Sequence, residues 1–225
     1  MSSTFEPEIL KRIHRSAVIS VLVIDKVENA VPLALALLDG GIDVMELTLR
    51  TPVAIDALCE IKAKVREMMA GIGTILTTEQ VTQAAEAGAA FGVAPGLNPK
   101  IVRQAQKMGL PFCPGIATPS DIEQALELGC RLLKFFPAEP SGGISYLKSI
   151  AAPYAHLNLR FIPLGGINAE NLKSYLTEPS IPAVGGSWLA PRKLIQNQDW
   201  KTITENARQA TIIVKEIRER QSSNL

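Results

Sequence analysis

Short β-branched runs alternate with helical patterns from one end of the chain to the other, and this alternation narrows the possible folds more than any other feature. The first run, "AVISVLVI" (17–24), leads into "ENAVPLALALLDGG", which carries Pro32 near its start and Gly40 after its last apolar residues, as a helix does. The unit recurs as "DVMELTL" with "TPVAIDALCEIKAKV", "AGIGTIL" with "TTEQVTQAAEAG", "AFGVAPG" with "NPKIVRQAQKMG", and "PFCPGI" with "TPSDIEQALELG". It continues as "LLKFFPA" with "GGISYLKSIAA", "RFIPLGGI" with "NAENLKSYL", and "IPAVGGSWL" with a long terminal helix from about Asp199. Eight such units, with no Pro/Gly/Ser-rich linker between them, predict an α/β fold: a single (β/α)8 TIM-barrel domain over residues 1–225. Residues 1–16, which include "PEILKRIHRS", predict an extra N-terminal helix covering the bottom of the barrel. The alternative is an open doubly wound sheet, which places a glycine-rich turn after its first strand. Here "IDKVEN" follows that strand, and "GIGTIL" lacks the third glycine of the dinucleotide fingerprint.

Charge and composition exclude several classes of function. The chain balances 23 basic against 22 acidic side chains, so nothing in its total favours nucleic acid or an anionic membrane as a partner. Cys59, Cys113 and Cys130 form no C-x-x-C pair and, in apolar helix or strand patterns, read as small hydrophobes, reduced in a cytoplasmic protein. His14 and His156 stand far apart, so neither a metal site nor a histidine triad is expected, and no cofactor is implied. Glu6 and Glu8 occupy the place of a signal peptide's basic region, and no apolar run approaches the roughly 20 residues of a membrane span.

In a barrel the chemistry collects where strands end and the following loops begin. The polar or turn-forming residues at those ends are Glu46, Thr48 and Arg50, then Thr74, Pro95 and Lys134, and finally the glycines of "PLGGIN" and "GGSWL". Strand residues two apart share a face, so Glu46, Thr48 and Arg50 point inward together, and Lys134 points inward with Leu132 and Phe136. An interior lysine has two readings. It can reach solvent or pair with a carboxylate such as Glu46, as a structural ion pair. Alternatively, burial and a nearby cation such as Arg50 favour the neutral amine, the form that attacks a carbonyl to make a Schiff base. Its replacement by alanine removes little apolar surface and is expected to leave the fold intact. Arg50 carries a forked guanidinium suited to a carboxylate, and two Gly-Gly pairs after the seventh and eighth strands, with the hydroxyl of Ser187, suit a phosphate. A ligand with a ketone, a carboxylate and a phosphate is a 2-keto acid phosphate.

The segments "ELTLRTP", "GIGT", "APGLNP", "FCPGIATPS", "LLKFFPAE", "PLGGIN" and "GGSWL", in this order and spacing, resemble the 2-keto-3-deoxy-6-phosphogluconate aldolase family, which includes 4-hydroxy-2-oxoglutarate aldolases. The resemblance implies a metal-free class I aldolase, usually a homotrimer. It assigns Lys134 as the Schiff-base lysine and Glu46 as the proton-transfer carboxylate. Arg50 and Thr74, with Pro95 and Phe136 beside them, are then substrate-binding, and Gly165, Gly166, Gly186 and Ser187 hold phosphate. Four positions depart from the family pattern: Leu164 stands where threonine is common, Ser20 for proline, Ile72 for alanine and Ala94 for serine. Leu164 and Ile72 are expected to make the pocket more apolar and to shift the choice of aldehyde. An epimerase or synthase on the same barrel, or a non-catalytic phosphosugar-binding barrel, are the alternatives.

Overall fold

The computed structural model describes residues 5–222. Helix α1 (Pro7–Ser16) precedes the first strand, and residues 1–4 of the helix expected over 1–16 lie outside the described residues. The strands are β1 (Val18–Leu22), β2 (Val44–Thr48), β3 (Met69–Gly73), β4 (Gly92–Val93), β5 (Phe112–Cys113), β6 (Gly115–Ile116), β7 (Leu132–Phe135), β8 (Arg160–Pro163) and β9 (Val184–Gly186). Between them run α2 (Ala30–Asp39), α3 (Ala54–Lys64), α4 (Thr78–Glu86), α5 (Pro99–Met108), α6 (Pro119–Glu127), α7 (Gly143–Ala151) and α8 (Leu172–Leu176). The short α9 (Arg192–Gln196) and the long α10 (Trp200–Ser222) close the described chain.

Local chemistry explains where the helices begin. Thr77 and Thr118 each accept a hydrogen bond from the backbone three residues on, while Gln80 and Asp121 reach back to the cap, forming two capping boxes. Asn98 caps α5 with Pro99 at its first turn, and Gly109 ends it in the left-handed conformation. Each cap is worth about 1 kcal/mol, enough to fix a boundary.

All strand pairs are parallel. They form a curled six-stranded sheet in the order β5-β4-β3-β2-β1-β9 and a three-stranded sheet in the order β6-β7-β8. The hydrogen-bond pattern therefore differs from the single ring of eight that the sequence predicts. One seam falls at Pro114, which splits "PFCPGI" into β5 and β6 because proline has no N–H to give to a ladder. Its carbonyl still accepts from the Lys134 N–H at 2.9 Å. At the other seam β8 meets β9 through an isolated parallel bridge between Leu164 and Gly185.

Side chains divide between two cores by the period of two. Val18, Leu22, Met45, Leu47, Leu133 and Phe135 pack with the helices in one cluster. Ile19, Val44, Met69, Phe91, Leu132 and Ile162 belong to a second, smaller cluster on the concave side. Phe5 and Ile13 join this second cluster, so the segment leading into α1 and the helix itself pack against the strand interior. Arg12 anchors α1 there, donating to the Asp43 carboxylate at 3.0 Å and to the Glu67 carbonyl, just ahead of β2 and β3. No helix among the described residues is long and apolar enough to cross a membrane.

Candidate active site

Lys134 lies on β7 between β6 and β8, pairing in register with Gly115 on one side and Ile162 on the other. Ladder bonds on both flanks fix its backbone, so its side chain has one direction available: inward. Only 7% of that side chain is exposed, and Nζ stands 3.5 Å from Oε1 of Glu46, whose side chain is 2% exposed. At that distance the hydrogen bond is at its outer limit, leaving an ion pair in a dry interior. Such a pair costs several kcal/mol of desolvation per ion, roughly what its attraction returns, so stability is a poor reason to have it. Nζ is also 5.4 Å from the centroid of the Phe136 ring, within cation–π range. The neighbours of Lys134 are thus Glu46 and Phe136. Arg50, expected beside it, sits exposed on the turn after β2 and makes no ion pair among the described residues.

Glu46 owes its place to a missing side chain. A Cβ at Gly73, on the neighbouring strand β3, would fall 1.8 Å from Glu46 Oε1 and 2.4 Å from its Cδ. Gly71 does the same for Phe91, where a Cβ would fall 2.3 Å from the ring. Strand β3 therefore yields its inward space above Met69 to two larger neighbours. Immediately after it, Thr74 adopts φ 58°, a left-handed conformation that costs a β-branched residue on the order of 1–3 kcal/mol and tends to mark functional positions. Thr48, also inward, spends its hydroxyl on the Leu22 carbonyl at 2.8 Å.

The remaining sequence-predicted residues surround the ends of the other strands. Pro95 is half-buried after β4, and its carbonyl closes on Gly115, where a Cβ would meet it at 2.2 Å. Gly165 and Gly166 follow β8 with φ 96° and 86°, conformations that glycine adopts without strain. A Cβ at Gly165 would lie 3.2 Å from the Phe136 ring, so this ring neighbours both the lysine and the glycine loop. Gly186 ends β9 under Trp188, where a Cβ would lie 2.1 Å from the indole, and Ser187 is exposed on the next turn. The bridge between Leu164 and Gly185 sets these two loops side by side.

Of the four positions that depart from the family pattern, one faces the lysine. Leu164 shares an interior pocket with Lys134, Glu46 and Cys113. Ile72 does not line it: with Gly71 and Gly73 turned inward, the period of two sends Ile72 into the helix-facing core, where Ala94 also lies. Ser20 alternates onto the same face as Val18 and Leu22, fully buried, its Oγ without a protein partner among the described residues. The expectation that Ile72 makes the pocket more apolar is therefore corrected. Two residues went unpredicted. Gly73 could not be found without the register of β2 and β3, and Cys113 was read only as a hydrophobe although alternation in "PFCPGI" sets it opposite to Phe112. Burial pushes the Cys113 thiol well above its ordinary range, against the opposing pull of Lys134, and leaves it protonated and unreactive. No group of three His, Cys, Asp or Glu side chains among the described residues is arranged to hold a metal.

The family model described as KDPG and KHG aldolase matches residues 9–206. A 2-dehydro-3-deoxy-phosphogluconate aldolase of Treponema pallidum is 44% identical over 206 residues, 92% of this chain and 97% of its own. The KHG/KDPG aldolase of Escherichia coli is 42% identical over 193 residues, 86% of this chain and 90% of its own. The KDPG aldolase from Legionella pneumophila, solved with pyruvate captured at low pH as a covalent carbinolamine intermediate, has a TM-score of 0.84 at 41% identity. That similarity covers 88% of this chain and 96% of the other.

Proposed function

We propose that this chain, which belongs to the KDPG and KHG aldolase family, is a class I aldolase cleaving a 2-keto-3-deoxy-6-phospho sugar acid to pyruvate and glyceraldehyde 3-phosphate. The observation that carries the reading is the Lys134–Glu46 pair: two ionisable groups 3.5 Å apart in the strand interior, with Gly73 leaving room for one of them. Lys134 Nζ, after giving its ammonium proton to water, adds to the C2 ketone, and the carbinolamine takes up a proton and loses water to leave an iminium. The C3–C4 bond then breaks, and its electron pair moves into the iminium to form an enamine, while the C4 hydroxyl proton passes to Glu46 directly or through a water. Glu46 returns a proton to C3, and hydrolysis releases pyruvate and regenerates the amine. Arg50 and Thr74, at the ends of adjacent strands, hold the carboxylate, with Pro95 and Phe136 shaping the pyruvate half. Gly165, Gly166, Gly186 and Ser187 receive the phosphate.

The same reading takes the two sheets as one (β/α)8 barrel in a single domain, joined across Pro114 and the Leu164–Gly185 bridge, and the enzyme as a cytoplasmic homotrimer like the family it resembles. Leu164 favours a second substrate. An apolar side chain facing Lys134 offers no hydrogen bond to a sugar hydroxyl, so 4-hydroxy-2-oxoglutarate, with a shorter aldehyde half, should also be cleaved. Incubation with pyruvate and borohydride tests the chemistry: one reduced pyruvyl group should appear on the Lys134 peptide. Label on another lysine, or none, would rule out the imine assignment.

A further inference from the structure

Glu139 stands where an anion site would least want it. It follows the lysine strand by four residues and lies against the Gly165–Gly166 turn, where a Cβ on Gly166 would come 2.6 Å from the Glu139 Cβ. A carboxylate beside a phosphate-binding loop weakens anion binding, a cost that calls for an offsetting role there. Its contacts show what that role is. The Tyr175 hydroxyl donates to Glu139 Oε1, and Tyr175 itself is buried on α8, the helix that the glycine loop leads into. The Glu139 N–H donates to the Gly165 carbonyl at 2.9 Å, and the Ala138 N–H to the Leu164 carbonyl at 2.7 Å. On its other side the loop is tied by Asn171 Nδ2, which donates to the Gly166 carbonyl at 3.0 Å. The carbonyls of 164–166 are thus all drawn away to protein donors. Gly143 completes the packing, since a Cβ there would sit 3.1 Å from Glu139 Oε1 and 3.4 Å from the Tyr175 hydroxyl.

We infer that Glu139 and Tyr175 are a positioning pair that holds the Gly165–Gly166 loop in its anion-receiving geometry, setting affinity for the phosphate end of the substrate without touching it. Burial and the Glu139 acceptor push the Tyr175 phenol above its ordinary range, so it remains a donor at neutral pH. The inference rests on the reading of this loop as the phosphate site. It also gives the segment that carries Lys134 a second duty, because residues 134–139, strand end and following turn, bear both the reacting amine and the support of the distant loop.

The test compares kinetics of the phosphorylated keto acid with those of unphosphorylated 4-hydroxy-2-oxoglutarate. Tyr175→Phe and Glu139→Ala should each raise KM for the phosphorylated substrate about tenfold, the scale of one lost charged hydrogen bond. Turnover of the unphosphorylated substrate should stay within about twofold, with kcat unchanged on both. Glu139→Gln keeps an acceptor at the same reach and removes the negative charge beside the loop, so its KM should lie at or below the wild-type value. Equal losses on both substrates, or no change on either, would overturn the inference. Inhibition of the wild type by inorganic phosphate separates the two layers: if phosphate does not compete, the loop is not a phosphate site and the inference falls with it. If phosphate competes in the wild type and equally well in Tyr175→Phe, the site stands and only the positioning role is refuted.

Discussion

The lysine end of the site and the glycine end are built from opposite materials. Lys134 and Glu46 are long ionisable side chains on ladder-bonded strands, both nearly sealed from solvent. Gly165, Gly166, Gly186 and Ser187 offer little side chain at all, and Gly166 and Ser187 are exposed on turns. The contrast fits what each end would do in the proposed function. Bond-making needs one amine and one carboxylate within tenths of an ångström of a set geometry, which rigid strands supply. Anion binding spreads over several backbone donors, which glycine turns supply. The first arrangement should be fragile to single substitutions and the second tolerant.

Lys134→Ala should show the largest effect: no measurable cleavage and no pyruvate label. Its stability should fall as well, contrary to the expectation from sequence, because Glu46 would be left buried without its partner, at a cost of about 3–5 kcal/mol. Chemical denaturation of Lys134→Ala against Lys134→Met/Glu46→Gln measures this, and the double variant should recover most of the loss. Equal stabilities would mean that the pair is wetter than its burial indicates.

Next comes Gly73→Ala. Its methyl group must displace the Glu46 carboxylate, and misplacing a proton-transfer group by about 1 Å costs roughly 10²-fold in kcat. Pyruvate labelling of Lys134 should persist, since imine formation does not need Glu46 in place. A wild-type kcat in this variant would remove Glu46 from the chemistry. Arg50→Ala should lower kcat/KM by about 10- to 100-fold on every substrate, phosphorylated or not, because the carboxylate it is proposed to hold is common to all of them. Selective loss on phosphorylated substrate would move Arg50 to the other end. Smallest is Ser187→Ala, expected to raise KM for the phosphorylated keto acid about fivefold, with backbone donors covering part of the lost hydrogen bond. A matching rise on 4-hydroxy-2-oxoglutarate would sink the phosphate assignment of Ser187.

How much of this was legible in the sequence depended on whether a feature is local. Alternation in "ELTLR" and "LLKFF" set Glu46 and Lys134 on the inward face, because side-chain direction in a strand is a matter of counting. The same counting, applied to "AGIGTIL", would have kept Ile72 out of the pocket. A departure from a family pattern carries no direction, and Ile72 points into the helix-facing core. What counting cannot supply is registration between strands. Glu46 pairs with Gly71 in the ladder and its side chain leans over Gly73, an offset fixed by hydrogen bonds between β2 and β3 that neither segment encodes alone. The meeting of Glu139 with Tyr175, 36 residues apart on separate loop and helix segments, is hidden for the same reason.

Helix α1 gives the site a direction of traffic. With Phe5 and Ile13 packed into the strand interior and Arg12 fastened ahead of β2 and β3, the space beneath Lys134 is stoppered at its lower end. A substrate reaching the lysine by the proposed mechanism would come from the strand ends instead. On the proposed mechanism, cleavage frees the aldehyde half while pyruvate is still tethered to the lysine as the enamine. That mechanism makes release sequential, aldehyde first and pyruvate last, and in the synthetic direction it requires pyruvate to be loaded before any aldehyde can react.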